Sequence, residues 1–215
     1  MHFAREGYPW IFGLGSLSLV LGLLGFSFSG CILLGLTLFV AFFFRDPDRE
    51  TPEDTDAIVS PADGRVITVE PLARGKHASE QPSSRVGIFL SPLNVHVNRV
   101  PVTGKVTRIH YQPGKFRAAF AADAAEVNEQ NVISIQDAHG RQVILVQIAG
   151  MLARRIVCRL TGGEQVQRGD RYGMIMLGSR VDVYCPAEVE LQIAVGQRVK
   201  AGETVIGEYR TRAKT

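Results

Sequence analysis

From Pro9 through Phe44 the chain carries no charged side chain, and Leu, Phe, Gly, Val and Ile dominate the run. A stretch of this kind belongs in lipid. As one helix it would rise roughly 54 Å at 1.5 Å per residue, against a hydrocarbon core of about 30 Å, which is too long for one comfortable span. Ser27-Phe28-Ser29-Gly30 near its middle supplies small, turn-forming residues. The expectation is therefore a transmembrane hairpin of two short, tilted helices, with one long tilted helix as the alternative. A cleaved signal peptide fits less well, because the run far exceeds a signal core and ends at Phe42-Phe43-Phe44-Arg45 with no small-residue cleavage site. Tyr8 and Trp10 mark one interface, and Arg45 and Arg49 the other end of the run. In a hairpin Arg5 and the Arg45/Arg49 pair share one side, which the positive-inside rule makes cytoplasmic. The expected location is the cell membrane, with the rest of the chain on its cytoplasmic face.

This divides the molecule into an anchor over residues 1–44, a charged, proline-punctuated linker over 45–56 and one domain over 57–215, large enough to bury a core. The formal net charge is +3, and Arg5 and Glu6 cancel, so the excess belongs to residues 45–215. With Arg198, Lys200, Arg210, Arg212 and Lys214 near the C-terminus, it suits a domain resting on anionic lipid, or simply a solvated face. No basic block is dense enough for nucleic acid. Cys31, Cys158 and Cys185 are widely spaced, which implies neither a disulfide framework nor a structural zinc site. His2, His77, His110 and His139 have no metal-ligand spacing, and no metal is expected.

Beyond the linker the pattern is short β runs separated by Gly and Pro: 57–60, 65–69, 85–90, 104–110, 132–136, 142–149 and 181–184. Lys115 to Glu126, rich in Ala with Phe116 and Phe120 at an i, i+4 spacing, reads as a helix or as a loop with one turn. Ser60-Pro-Ala-Asp-Gly-Arg-Val66 and Gly196-Gln-Arg-Val-Lys-Ala-Gly202-Glu-Thr-Val-Ile206 look alike; local chemistry shows only turn, strand and turn. The fold class is mainly β (α+β) with an N-terminal helical membrane segment.

Three stretches carry candidate chemistry. In Leu177-Gly178-Ser179-Arg180 a glycine precedes a serine, so the backbone can bend until the hydroxyl attacks the preceding carbonyl; the same dipeptide also makes ordinary turns. Asp63 lies in Ser60-Pro61-Ala62-Asp63-Gly64, which also reads as a type I turn. His96 lies in the alternating Asn94-Val95-His96-Val97-Asn98, where a core histidine is the plain reading.

Together these stretches resemble the phosphatidylserine decarboxylase family, short form. Gly7-Tyr-Pro-Trp10, Phe43-Phe-Arg-Asp-Pro-Asp48, Pro113-Gly-Lys-Phe116, Asn128-Glu-Gln-Asn131, Gln147-Ile-Ala-Gly150 and Ala153-Arg-Arg-Ile156 carry the same resemblance. An amino-acid decarboxylase needs an electron sink that no ordinary side chain provides, and the chain has neither the length nor the pattern of a pyridoxal phosphate enzyme. The resemblance implies a pyruvoyl group instead. Ser179 would attack the Gly178 carbonyl, the acyl group would shift from nitrogen to oxygen, and β-elimination and hydrolysis would leave pyruvoyl and ammonia. The products would be a β chain of residues 1–178 and an α chain of residues 179–215. The activity implied is decarboxylation of phosphatidylserine to phosphatidylethanolamine through a Schiff base.

The resemblance also makes Asp63 the acid of an Asp-His-Ser relay and gives His96 the first of two positions, three residues apart, that are histidines in longer family members, the second being the one assigned there to the relay. The second position is Arg99 here, so either His96 takes the general-base role or cleavage is assisted differently. Lys115, Phe116 and Phe120 are candidates for a substrate mouth, with Lys115 near a lipid phosphate, or for plain packing; Arg154 and Arg155 are further phosphate candidates. The lipoyl-like or barrel-sandwich character of the two look-alike hairpins rests on resemblance too. Expected partners are the phospholipid and the two chains of one precursor, with a homodimer left open. The rival is a non-enzymatic, membrane-anchored adaptor or carrier built of lipoyl-like hairpins. An adaptor of that kind needs a long helical hairpin between its carrier halves, and a carrier needs a lysine at a hairpin tip; neither is evident.

Overall fold

The uncharged run folds back on itself as two helices, α1 (Tyr8–Leu23) and α2 (Ser27–Phe43). The chain reverses at Leu24-Gly25-Phe26, with Gly25 at φ +87°, and not at Ser27–Gly30, which opens α2. The left-handed conformation at Gly25 is open to glycine at little steric cost. The small residues serve packing instead: Ser18 Oγ donates to the Gly30 carbonyl at 2.7 Å, and a Cβ on Gly30 would lie 3.2 Å from the Ser18 carbonyl oxygen. Ahead of α1, β1 (His2–Phe3) pairs antiparallel with β2 (Arg45–Asp46), which follows α2. At 16 and 17 residues the helices rise about 24 and 26 Å. The expected reversal into two short helices is observed, but no helix among the described residues is long and apolar enough to cross a membrane, so the spanning part of the expectation has no support here.

The computed structural model describes residues 2–72, 83–121, 124–151, 155–176 and 178–210. The chain separates into two compact units, one ending at Asp48 and one beginning at Arg49. The stretch read as a linker is thus divided between them. In the second unit Arg168 donates to the carbonyls of Pro52, Asp54 and Ala57, and Gly169, at φ +90°, packs against the Thr51 side chain.

The second unit is built from β3 (Ala57–Val59), β4 (Gly64–Leu72), β5 (Ser83–Leu90), β6 (Val97–Arg99), β7 (Gly104–Gln112), α3 (Ala124–Val127), β8 (Gln130–Gln136), β9 (Gln142–Ile148), β10 (Ile156–Cys158), β11 (Gln165–Val166), β12 (Arg171–Ile175), β13 (Ser179–Pro186), β14 (Val189–Leu191), β15 (Arg198–Val199) and β16 (Val205–Tyr209). A curled eight-stranded sheet runs β11-β7-β8-β9-β13-β5-β4-β15, and two three-stranded sheets, β10-β12-β6 and β14-β16-β3, complete it. The unit is mainly β, as expected.

Side chains alternate between the two faces of a strand, and central β13, buried along its whole length, serves two cores. Val181, Val183 and Cys185 enter the main core with Ile58, Ile88, Leu90, Leu145 and Ile206. Tyr184 faces the other way, onto Val132, Ile144, Val146 and Ile148. The two look-alike segments clasp each other: Ser60 N–H donates to the Thr204 carbonyl, Gly202 N–H to Ser60, Val66 N–H to Gln197, and β15 and β16 pair with β4 and β3. Residues 115–121 form a loop and only Ala124–Val127 is helical. Of the two readings for that stretch, the loop with one turn is the one observed, because Lys115 bridges to Asn128, whose side chain accepts from Arg117 N–H and donates to its carbonyl.

Candidate active site

Gly178 has φ +67°, the left-handed region that suits glycine, and the turn it makes delivers Ser179 as the first residue of β13, opposite Leu90 at the end of β5. Ser179 shares the face of Val181 and Val183, is fully buried, and its Oγ has no hydrogen-bond partner among the described residues. A buried hydroxyl in that condition is destabilising unless it has work to do. Leu177 lies outside the described residues.

His96, also fully buried, sits one residue before β6. Its carbonyl accepts from Ile175 N–H at 3.4 Å, so the pairing of β6 with β12 continues to the residue from which residues 176–178 lead to Ser179. On the other side residues 91–95 connect His96 to Leu90, the partner of Ser179. His96 and Ser179 are therefore tied to one small closed ring of backbone, with Ser91 Oγ and N–H both donating to Asn94 Oδ1 to shape its turn. Arg99, buried at the end of β6, donates from Nη1 to the Gly169 carbonyl at 2.9 Å and lays its stem against Gly202.

Asp63 precedes Gly64, whose place would hold a Cβ 2.2 Å from the Phe89 carbonyl oxygen. Gly64 and Ser179 thus flank the end of β5 on its two sides, about 10 Å apart at two strand spacings. The Asp63 carboxylate accepts Arg49 Nη2 on both oxygens, at 3.1 and 2.9 Å, and Ala201 N–H at 2.8 Å. Asp63, His96 and Ser179 therefore converge on one end of the sheet, and Arg49 joins them.

On the opposite face of β13, Arg180 and Asp182 form a buried ion pair. Residues two apart on a strand share a face, and Gly87 directly across leaves the room. Burial pushes the Asp182 carboxyl above its usual value, with Arg180 and Arg85 opposing the shift. Below the Ser179 face, Gln147 Nε2 donates to Asn98 Oδ1 and Asn131 Nδ2 to Gln147 Oε1, a buried amide chain joining β6, β9 and β8.

Lys115 is exposed and Phe116 half-buried, while Phe120 stacks edge-on against Phe89 at 5.8 Å between centroids. Phe89 pairs with Arg180, so Phe120 reaches the far face from the Ser179 hydroxyl. Arg154 lies outside the described residues. Sequence reasoning passed over Arg49, Asp182, Asn98 and Gln147. An Arg-x-Asp spacing inside an apolar strand was a readable signal for the Arg180–Asp182 pair; for Arg49 there was none, since its partner is set by the tertiary fold.

Residues 36–207 match the family profile described as phosphatidylserine decarboxylase. The chain belongs to the phosphatidylserine decarboxylase family. Curated relatives named phosphatidylserine decarboxylase proenzyme include those of Syntrophus aciditrophicus, 47% identical over 96% of this chain and 97% of theirs, and Geotalea uraniireducens, 47% identical over 95% of each. The relative from Geobacter metallireducens is 46% identical, again over 95% of each. The phosphatidylserine decarboxylase match covers Asp63, His96 and Ser179, and the likeness to the relatives extends over nearly the whole chain.

Proposed function

We propose that this protein converts phosphatidylserine to phosphatidylethanolamine and CO2, using a pyruvoyl group that it makes from its own Ser179. The observation that carries the reading is the Ser179 hydroxyl, buried and unpartnered among the described residues, directly after a left-handed glycine, in a chain of this family. In self-cleavage Oγ bonds to the Gly178 carbonyl carbon, the Gly178–Ser179 C–N bond breaks, and the freed nitrogen takes a proton. β-Elimination then removes the Ser179 Cα proton and releases the Gly178 carboxylate, and water displaces the amino nitrogen of the dehydroalanine as ammonia, leaving the α chain, residues 179–215, with a pyruvoyl end. When present, that group supplies the ketone that takes the substrate amine and the sink for the electrons left by CO2. His96 is the proton carrier, imidazole being the side chain most often used in general acid-base catalysis. Asp63 supplies negative charge to stabilise its cation, and the buried setting of β13 keeps water from the carbonyl.

Exposed Lys115 offers a charge for the lipid phosphate, with Phe116 beside its acyl chains; Phe120, on the face away from the Ser179 hydroxyl, is left out of that mouth. The helical hairpin seats in the membrane, supported by the apolar side chains it leaves exposed, among them Trp10, Phe12, Leu23 and Phe28. Its two ends then lie on one side, which Arg5, Arg45 and Arg49 make cytoplasmic. The mutual clasp of the two Gly-punctuated segments supports a barrel-sandwich core.

The test is intact mass. Wild type should yield fragments meeting at Gly178/Ser179, the smaller with a blocked pyruvoyl end, and Ser179→Ala one uncleaved, inactive chain. A wild-type protein that persists as a single chain with full decarboxylase activity overturns the reading.

A further inference from the structure

Asp63 is held by a residue of the segment that leads into the domain. Arg49, the first residue of the second unit, grips both Asp63 oxygens, and the two side chains are only 8% and 12% exposed. Its Nη1 reaches Glu203 at 3.3 Å, on the same loop that offers Ala201 N–H to Asp63. Burial alone would raise the Glu203 carboxyl, but hydrogen bonds from Lys200 and Arg49 outweigh it and hold it below its usual value. The charged and titratable groups gathered here are Arg49 from the entry segment, Lys200 and Glu203 from the 200–204 loop, and Arg99 and His96 from the β6 segment.

We infer that Arg49 is a positioning residue for self-cleavage: its Nη2, set between the two Asp63 oxygens while Nη1 holds Glu203, fixes and charge-balances the carboxylate, so that the domain processes itself only when its entry segment is docked. The inference rests on the reading of Asp63 as the carboxylate of the relay. A guanidinium keeps its charge when buried, and its two terminal nitrogens here reach two carboxylates, Nη2 to Asp63 and Nη1 to Glu203. Without it a largely buried carboxylate loses a cation in contact with both its oxygens and takes up a proton more readily. A protonated Asp63 has no charge with which to stabilise an imidazolium, so cleavage should then require higher pH.

The experiment follows accumulation of the 179–215 fragment against pH for full-length protein. An opposite charge at this range is worth roughly 1–3 pH units, so in Arg49→Met the acid limb of the cleavage profile should move up by that amount, with the rate recovering at high pH. Arg49→Lys, which keeps the charge but cannot bridge Asp63 and Glu203 with two nitrogens, should shift less; should Arg49→Met fail to fold, the Lys variant carries the test. A wild-type profile in Arg49→Met, or slowing by the same factor at every pH, overturns the inference. Asp63→Asn separates the two readings. If it cleaves normally, the relay role of Asp63 fails; if it is blocked while Arg49→Met keeps the wild-type profile, only the role of Arg49 fails.

Discussion

Arg180 lies across Gly87: a Cβ in place of the glycine hydrogen would stand 2.7 Å from Arg180 Nη2 and 3.0 Å from Asp182 Oδ1. The residue after Ser179 is thus fixed by an ion pair seated on a bare stretch of the neighbouring strand. Gly87→Ala should displace this pair and destabilise the domain by about 1–3 kcal/mol, as overpacking a tight interior does. Urea unfolding in a Ser179→Ala background, where no cleavage intervenes, measures it; an unchanged midpoint would show that the guanidinium swings aside freely.

His96 and Arg99 lie three residues apart, both buried, and they differ in kind. His96→Ala should slow self-cleavage about 10²–10⁴-fold, the usual contribution of general acid-base assistance, visible as precursor on a gel. Arg99→Ala should still cleave, but at a stability loss of about 1–3 kcal/mol, because the Gly169 carbonyl loses its buried donor. Normal cleavage by His96→Ala would return the base role to another group.

Glu203 sets an acid limb of stability. Its carboxyl is held below the ordinary value of 4.5 in the folded protein, so its contribution is present above that pH and lost as pH falls through the lower folded value. Glu203→Gln should therefore lose stability less steeply than the parent does as pH falls below 4.5. Parallel stability curves for the two proteins over that range would contradict the assignment.

Cys185 is fully buried in the main core, and burial pushes its thiol up to about 12. With almost no thiolate near neutral pH it should resist alkylation in the folded protein and react only after unfolding. Mass mapping after iodoacetamide at pH 8, with and without denaturant, decides it.

Much of the strand pattern was legible because burial on a sheet writes itself into neighbouring residues. The runs at 57–60, 85–90, 104–110 and 142–149 fall on β3, β5, β7 and β9. The short strands β10, β11 and β14 were not, since two or three residues such as Gln165–Val166 carry no period and pair only because a partner is already in place. The turn of the helical hairpin was misplaced by a few residues because Ser, Gly and Phe serve equally for reversing a chain and for close packing of helices; the left-handed Gly25 decided it.

By itself the sequence determined the apolar run, the alternation of the strands and the Gly178-Ser179 step, all encoded by residues within a turn or two of one another. Tertiary structure alone decided that Arg49 closes on Asp63, that Leu90 stands opposite Ser179, and that Gly87 makes room for Arg180. The physical reason is register. A side chain's partner across a sheet or at its end depends on how segments far apart in the chain align, and one residue of slip would turn each of these groups to the other face.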